Sequence, residues 1–232
     1  MYGLQARGLH AGEELPRSIG EMAAGYLEQI RAVQPEGPYH LAGWCFGGGV
    51  AHQIATQLQA AGEPVALLAL VDAVPSNPSP DGRRIATPGE LPVDERQLLR
   101  DVLNGFDLDL PRVDAGKLDR QATLEIIKDQ ISKAQSGSAG GLADDRVLAL
   151  VRVLRNNIWL SLDFVPGVFR GDLLYFAAKV DGIPAAVWAP YLTGRIEAHD
   201  VAARHDHMTH ATAVAEIGRV IATWLTAGDG DD

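Results

Sequence analysis

Gly43-Trp44-Cys45-Phe46-Gly47 stands between a short strand-like run, Tyr39 to Trp44, and a stretch in which Ala51, Ile54, Ala55 and Leu58 share one helical face. The segment is a glycine–x–nucleophile–x–glycine pattern in a strand–turn–helix setting, with cysteine where serine is usual. Such a turn holds its central residue in a strained backbone conformation against closely packed neighbours. Glycines leave the room, so the side chain is pushed out above the sheet edge. A helix starting just after Cys45 brings backbone N–H groups and a positive dipole end beside the sulfur, which favours the reactive thiolate. The N–H of Phe46 is the expected oxyanion donor.

Working outward, Gly62 closes the helix, and Val65 to Val71 is apolar without alternation, the pattern of a parallel strand buried on both faces; it stops at Asp72. Upstream, Met22 to Val33 has helical spacing and is broken by Pro35-Glu36-Gly37-Pro38. Downstream, Asp172–Ala178 and Gly194–Val201 read as strands and Ala211–Leu225 as a last amphipathic helix. This alternation predicts an α/β fold, a mostly parallel sheet flanked by helices. Between Ser76 and Phe164 the composition turns helical, around 94–103, 121–133 and 144–162, and reads as an insertion. Its cluster Ser136-Gly137-Ser138-Ala139-Gly140-Gly141 is expected to be a mobile helix–helix connection, and the tail from Gly228 to be frayed. No internal repeat is visible.

The 232 residues, 47% hydrophobic and 22% charged, suit one domain with a sizeable core. A formal charge of −10 argues against nucleic acid and anionic membranes as partners. No apolar run approaches the roughly 18 residues of a membrane span. Met1 to Gly8 lacks the regions of a signal peptide, so a cytoplasmic location is expected. Cys45 is the single cysteine, which excludes an internal disulfide and a multi-cysteine metal cluster.

A nucleophile of this kind works with a base and an orienting carboxylate, in the chain order nucleophile, acid, histidine. Asp72 and Asp181 both sit at strand ends, with Asp72 favoured. His205, His207 and His210 lie before the final helix, and His199 lies in or at the end of the last strand. These histidines and Asp206 have no matching ligand motif elsewhere, so no metal is expected. Trp44 and Phe46 flank the elbow, where core and pocket both stay open; Trp44 is taken as a substrate contact.

Three stretches together resemble the type I thioesterase domain that ends nonribosomal peptide synthetases and polyketide synthases, a branch of the α/β-hydrolase fold. They are Tyr2 to Gly8, Gln34 to Gly48, and Leu67-Leu68-Ala69-Leu70-Val71-Asp72. The resemblance implies one domain over 1–232, with a core of 1–75 and 165–232 and a helical lid at 76–164. It selects Asp72 as the acid and His205, three residues before Met208, as the base; His207 is the fallback. It further implies a reaction in which a peptidyl chain moves from the phosphopantetheine of a carrier domain to Cys45. Release by macrocyclisation, oligomerisation with cyclisation, or hydrolysis follows. On this reading the domain binds no cofactor of its own; its partners are the upstream peptidyl carrier domain and the peptide thioester. The product would be a siderophore, antibiotic or lipopeptide.

The sequence departs from the family pattern twice. Cysteine replaces serine, as a native feature that suits a demanding second step or as a neutral or engineered swap. Nothing before Tyr2 resembles the family's first apolar strand and His-Pro-x-Gly-Gly-like loop. The chain is therefore expected to be a piece of a longer synthetase, with a gap between a strand beginning at Tyr2 and the strand ending at Trp44. Two other readings are a stand-alone editing thioesterase that clears mis-primed carrier domains and a degenerate hydrolase acting as a binding module.

Overall fold

Val65 to Val71 forms a strand whose side chains are all buried from Leu67 onward, as the centre of a parallel sheet demands. The computed structural model describes residues 1–10, 12–75, 100, 111, 119–135, 144–162 and 164–228. Its elements in chain order are α1 (Ile19–Val33), β1 (Tyr39–Trp44), α2 (Phe46–Ala60), β2 (Val65–Val71), α3 (Arg120–Gln135), α4 (Asp144–Leu162), β3 (Leu173–Ala178), β4 (Ile196–Val201) and α5 (Ala211–Gly228). Short 3-10 turns occupy Ala185–Tyr191 and His205–His207.

The chain divides into two compact units, Ser18–Asn77 with Phe164–Asp232, and Met1–Arg17 with Pro78–Asp163. The first holds a four-stranded sheet in the order β1-β2-β3-β4, with every pair parallel. Helix α1 begins where the Ser18 hydroxyl accepts the Glu21 N–H at 3.0 Å. It packs on α2, and α2 packs on β1 and β2. The period of two along β2 sorts its side chains between two layers. Leu70 lies beneath Gly48 of α2. Leu67, Ala69 and Val71 join Leu174, Phe176, Ala178 and Val201 on a core completed by Met208 and by Ala213 and Ile217 of α5. This is the expected α/β arrangement, and the strands expected at 172–178 and 194–201 begin one and two residues later than the sequence suggested.

In the second unit, residues 8–16 are fastened to α4. Asn156, 3% exposed, donates to Pro16 O at 3.0 Å, and Arg152 donates to Gly8 O at 3.0 Å. The strand expected to begin at Tyr2 is absent: residues 1–6 are irregular, Tyr2 is 80% exposed, and the first 17 residues cluster with 78–163 and not with the sheet. The carbonyls of Gly8 and Pro16, farther along this stretch, are met by α4 side chains and not by a strand ladder. Among the described residues β1 pairs with β2 alone, so it forms a sheet edge. The helix expected at 94–103, the glycine–serine cluster at 136–141 and the tail beyond 228 lie outside the described residues. Among the described residues no helix is long and apolar enough to cross a membrane.

Leu70 is fully buried, so Leu70→Ala should cost about 2–5 kcal/mol and lower the urea midpoint at unchanged slope. Val180→Ala, at a residue 66% exposed, should stay within about 0.5 kcal/mol.

Candidate active site

Open parallel sheets gather functional groups beyond the carboxyl ends of their strands, and three of the expected side chains lie there. Cys45 follows β1 directly, at φ 52 and ψ −122, the N-cap of α2. It is held by two backbone hydrogen bonds: its N–H donates to Val71 O at 3.0 Å, and its carbonyl accepts the Gly48 N–H at 3.0 Å. The glycines around it are unequal. A Cβ on Gly43 would stand 2.2 Å from Gly47 O, and one on Gly48 would stand 2.3 Å from the Ala73 Cβ. One on Gly47 would meet nothing within 4 Å. The expectation that both motif glycines make room holds for Gly43; Gly48, outside the motif, carries the second close approach. Phe46 is the first helical residue, so its N–H has no partner within the helix.

Asp72 caps β2 with the other positive φ among the described non-glycine residues, 44°, and is fully buried. Its Oδ1 accepts the N–H groups of Ile183 at 2.8 Å and Ala178 at 3.2 Å, and its Oδ2 accepts His205 Nδ1 at 2.6 Å. Burial raises the carboxyl's pKa, but the bonds from His205, Ile183 and Ala178 outweigh it and hold Asp72 below its ordinary 3.8. With Nδ1 engaged, the other ring nitrogen of His205 is left for the Cys45 side chain. The bond to Asp72, then the bond to Cys45, push His205 from 6.5 up to about 10 against the pull of burial. The Trp44 ring lies 5.6 Å from the His205 ring, tilted by 31°.

The remaining candidates fall elsewhere. Asp181 does not meet the imidazole; its Oδ1 accepts the His205 backbone N–H at 2.8 Å and its Oδ2 pairs with Arg204 at 3.0 Å. His207 stacks on His210, rings 4.5 Å apart, and does not join Asp72. His199 bonds Glu197 at 2.9 Å and stacks on Phe176. Among the described residues no three His, Cys, Asp or Glu side chains converge as a metal set.

Sequence reasoning missed the scaffold around the acid. Trp188 Nε1 donates to Ala73 O at 2.8 Å, and the Tyr175 hydroxyl donates to Ala73 O at 3.2 Å and Ile183 O at 3.0 Å. It also missed His52, fully buried on α2, whose Nε2 donates to Tyr191 O at 3.0 Å and whose pKa burial pushes down. Aromatic residues in strands signal core in general, and no local pattern marks which carbonyl they will reach.

The family model for the thioesterase domain matches residues 1–114. The dimodular nonribosomal peptide synthase of Bacillus subtilis (strain 168) is 39% identical over 97% of this chain and 9% of its own length. Malpibaldin synthetase of Mortierella alpina is 35% identical over 97% of this chain and 4% of its own length. The chain thus spans a small part of the relatives it matches. Among solved structures, a four-domain nonribosomal peptide synthetase bound to AMP and glycine shares the fold at a TM-score of 0.73 and 23% identity, over 95% of this chain and 17% of that one. The Vlm2 thioesterase domain with genetically encoded 2,3-diaminopropionic acid, bound with a dodecadepsipeptide, does so at 0.64 and 22%, over 95% of this chain and 80% of that one.

Gly43→Ala should prevent folding of the elbow, whereas Gly47→Ala, in open space on a helix, should raise stability by about 0.5–1 kcal/mol in urea unfolding. The His205 ring should titrate near 10 by NMR, and Asp72→Asn should move that midpoint down, since the largest cause of the shift is removed. The stability that His205 contributes is fully present below 6.5 and is lost as pH rises through about 10. That from Asp72 is present above 3.8 and is lost as pH falls through its lower folded value.

Proposed function

Since this chain belongs to the thioesterase-domain family, we propose that it releases a peptidyl chain from the carrier domain of a nonribosomal peptide synthetase through an acyl intermediate on Cys45. The observation that carries the reading is the bond from Asp72 Oδ2 to His205 Nδ1 at 2.6 Å, on an imidazole whose pKa Cys45 helps to raise. In the first step Sγ attacks the thioester carbonyl carbon, its proton seated on the free nitrogen of His205. The oxyanion points at the Phe46 N–H, and the carrier thiolate leaves with the proton from His205. Asp72 keeps the Nδ1 proton and the ring orientation throughout.

Acylation also prepares the second step. After the bond to Asp72, the hydrogen bond and charge of Cys45 help to hold the His205 pKa up, and a thioester on Sγ removes both. The His205 pKa then falls, so more of the imidazole stands neutral and free to take the proton of the incoming nucleophile, a hydroxyl, an amine or water. Attack by that nucleophile expels Sγ, which recovers its proton from His205. A thioester is more activated toward amines and alcohols than the oxyester a serine would form. Cysteine therefore suits release by an internal nucleophile of the peptide, as macrocyclisation or as oligomerisation followed by cyclisation. Trp44, 38% exposed beside the nucleophile, offers an apolar face to the acyl chain.

Intact-protein mass spectrometry with a peptidyl phosphopantetheine thioester tests the acyl step. The chain should gain the peptidyl mass, and Cys45→Ala should gain none; release without a Cys45-dependent adduct overturns the reading. Cys45→Ser should lower the ratio of cyclised to hydrolysed product, and an unchanged ratio and rate would sink the role given to cysteine. The first-step rate should hold through neutral pH and fall as pH rises through about 10, where His205 loses the leaving-group proton, with the fall shifted to lower pH in Asp72→Asn.

A further inference from the structure

Asp181 stands at a strand end, in the connection between β3 and the 3-10 turn at Ala185, yet its carboxylate meets neither the imidazole nor the thiol. One oxygen accepts the backbone N–H of His205 at 2.8 Å, and the other pairs with Arg204 at 3.0 Å. His205 opens a 3-10 turn, so its N–H has no partner inside that turn, and Asp181 supplies it from 24 residues away. The acid is reached from both ends of the same connection: Ala178, the last residue of β3, and Ile183, on either side of Asp181, give their N–H groups to Asp72 Oδ1. It folds back tightly enough that a Cβ on Gly182 would stand 2.0 Å from Ala178 O. Lys179 N–H to Val201 O at 2.9 Å ties its start to the end of β4.

One short turn thus touches the acid with its backbone and the base with its one carboxylate. Asp72 orients the His205 ring through Nδ1 but has no hold on the backbone that carries the ring. We propose that Asp181 is a positioning residue: through the His205 N–H it sets the distance of the imidazole from Asp72 and Cys45, with Arg204 balancing its charge. This rests on the reading of Cys45, Asp72 and His205 as the reacting set. A misplacement of about 1 Å at a reacting group costs up to about a hundredfold in rate, so the clamp should be visible in kcat.

The test uses the full chain, release of a peptidyl phosphopantetheine thioester, and the His205 ring titration. Asp181→Ala should lower kcat about 10- to 100-fold with KM within about twofold, and should move the His205 midpoint below that of the parent. Asp181→Asn, which keeps an acceptor oxygen for the N–H and loses only the ion pair with Arg204, should stay within about threefold of the parent, since exposed ion pairs contribute little. In an Asp72→Asn background Asp181→Ala should add less than about threefold, because both changes act through His205. A parent-like kcat and His205 midpoint in Asp181→Ala overturns the proposal, and so does a loss confined to melting temperature or KM. If Asp181→Ala does not fold, hydrogen exchange in the parent decides: the His205 amide should be protected, and exchange at the rate of an unstructured peptide overturns the clamp. Cys45→Ala and His205→Ala separate this proposal from the reading beneath it. If they keep turnover, the reacting set is wrong; if they lose it while Asp181→Ala does not, only the clamp is wrong.

Discussion

The buried carboxylate of Asp72 is the constraint around which the site is arranged. An ionised carboxylate out of contact with water is destabilising unless several donors converge on it, and removing one such partner typically costs about 3–5 kcal/mol. Three donors converge, from Ile183, Ala178 and His205. They belong to the last residue of β3, the connection after it and the loop after β4, so satisfying one charge draws separate stretches of chain to the end of β2. The neighbouring peptide is held as firmly: the Asp72 N–H donates to Phe176 O at 2.7 Å, and the Ala73 carbonyl receives both Trp188 and Tyr175. Burial, followed by the Asp72 charge, pushes the Tyr175 hydroxyl well above its ordinary pKa, so it remains a donor at any ordinary pH.

Strain is concentrated at the same edge. Among the described residues Cys45 and Asp72 are the two non-glycine residues with positive φ, and each ends a strand of the parallel pair β1–β2. Such conformations cost on the order of 1–3 kcal/mol apiece and persist where surrounding bonds over-determine them. The bonds are present: Cys45 N–H to Val71 O, and Asp72 N–H to Phe176 O, prolong the sheet ladder by one step past each strand. The gain is direction. Both side chains leave the sheet at its carboxyl edge, where the His205 ring meets the carboxylate through Nδ1 and Cys45 helps to raise the ring's pKa.

Much of this was legible in local sequence. The unalternating run to Val71, the glycine-framed Cys45 and the acid at a strand end each follow from steric or burial rules that act over a few residues. The pattern failed where satisfaction comes from far along the chain. A strand is expected to begin at Tyr2, but residues 1–6 lie outside the sheet, and the carbonyls of Gly8 and Pro16 beyond them are met by Arg152 and Asn156 of α4. Gly47 matches the motif yet has open space, whereas Gly48 faces the Ala73 Cβ across the β2 end.

The sequence by itself determined the α/β alternation, the exposed cysteine elbow and a short set of acids and histidines at strand ends, since strand burial, helix period and glycine sterics are properties of neighbouring residues. Only the tertiary structure decided how the members of that set are held. The sequence favours Asp72 over Asp181, both past an apolar strand, without saying what either one holds. Which of them receives an imidazole nitrogen and which a backbone N–H depends on where the loop after β4 comes to rest. That position is set by hydrogen bonds between residues more than 20 and more than 130 positions apart, to which no local pattern refers.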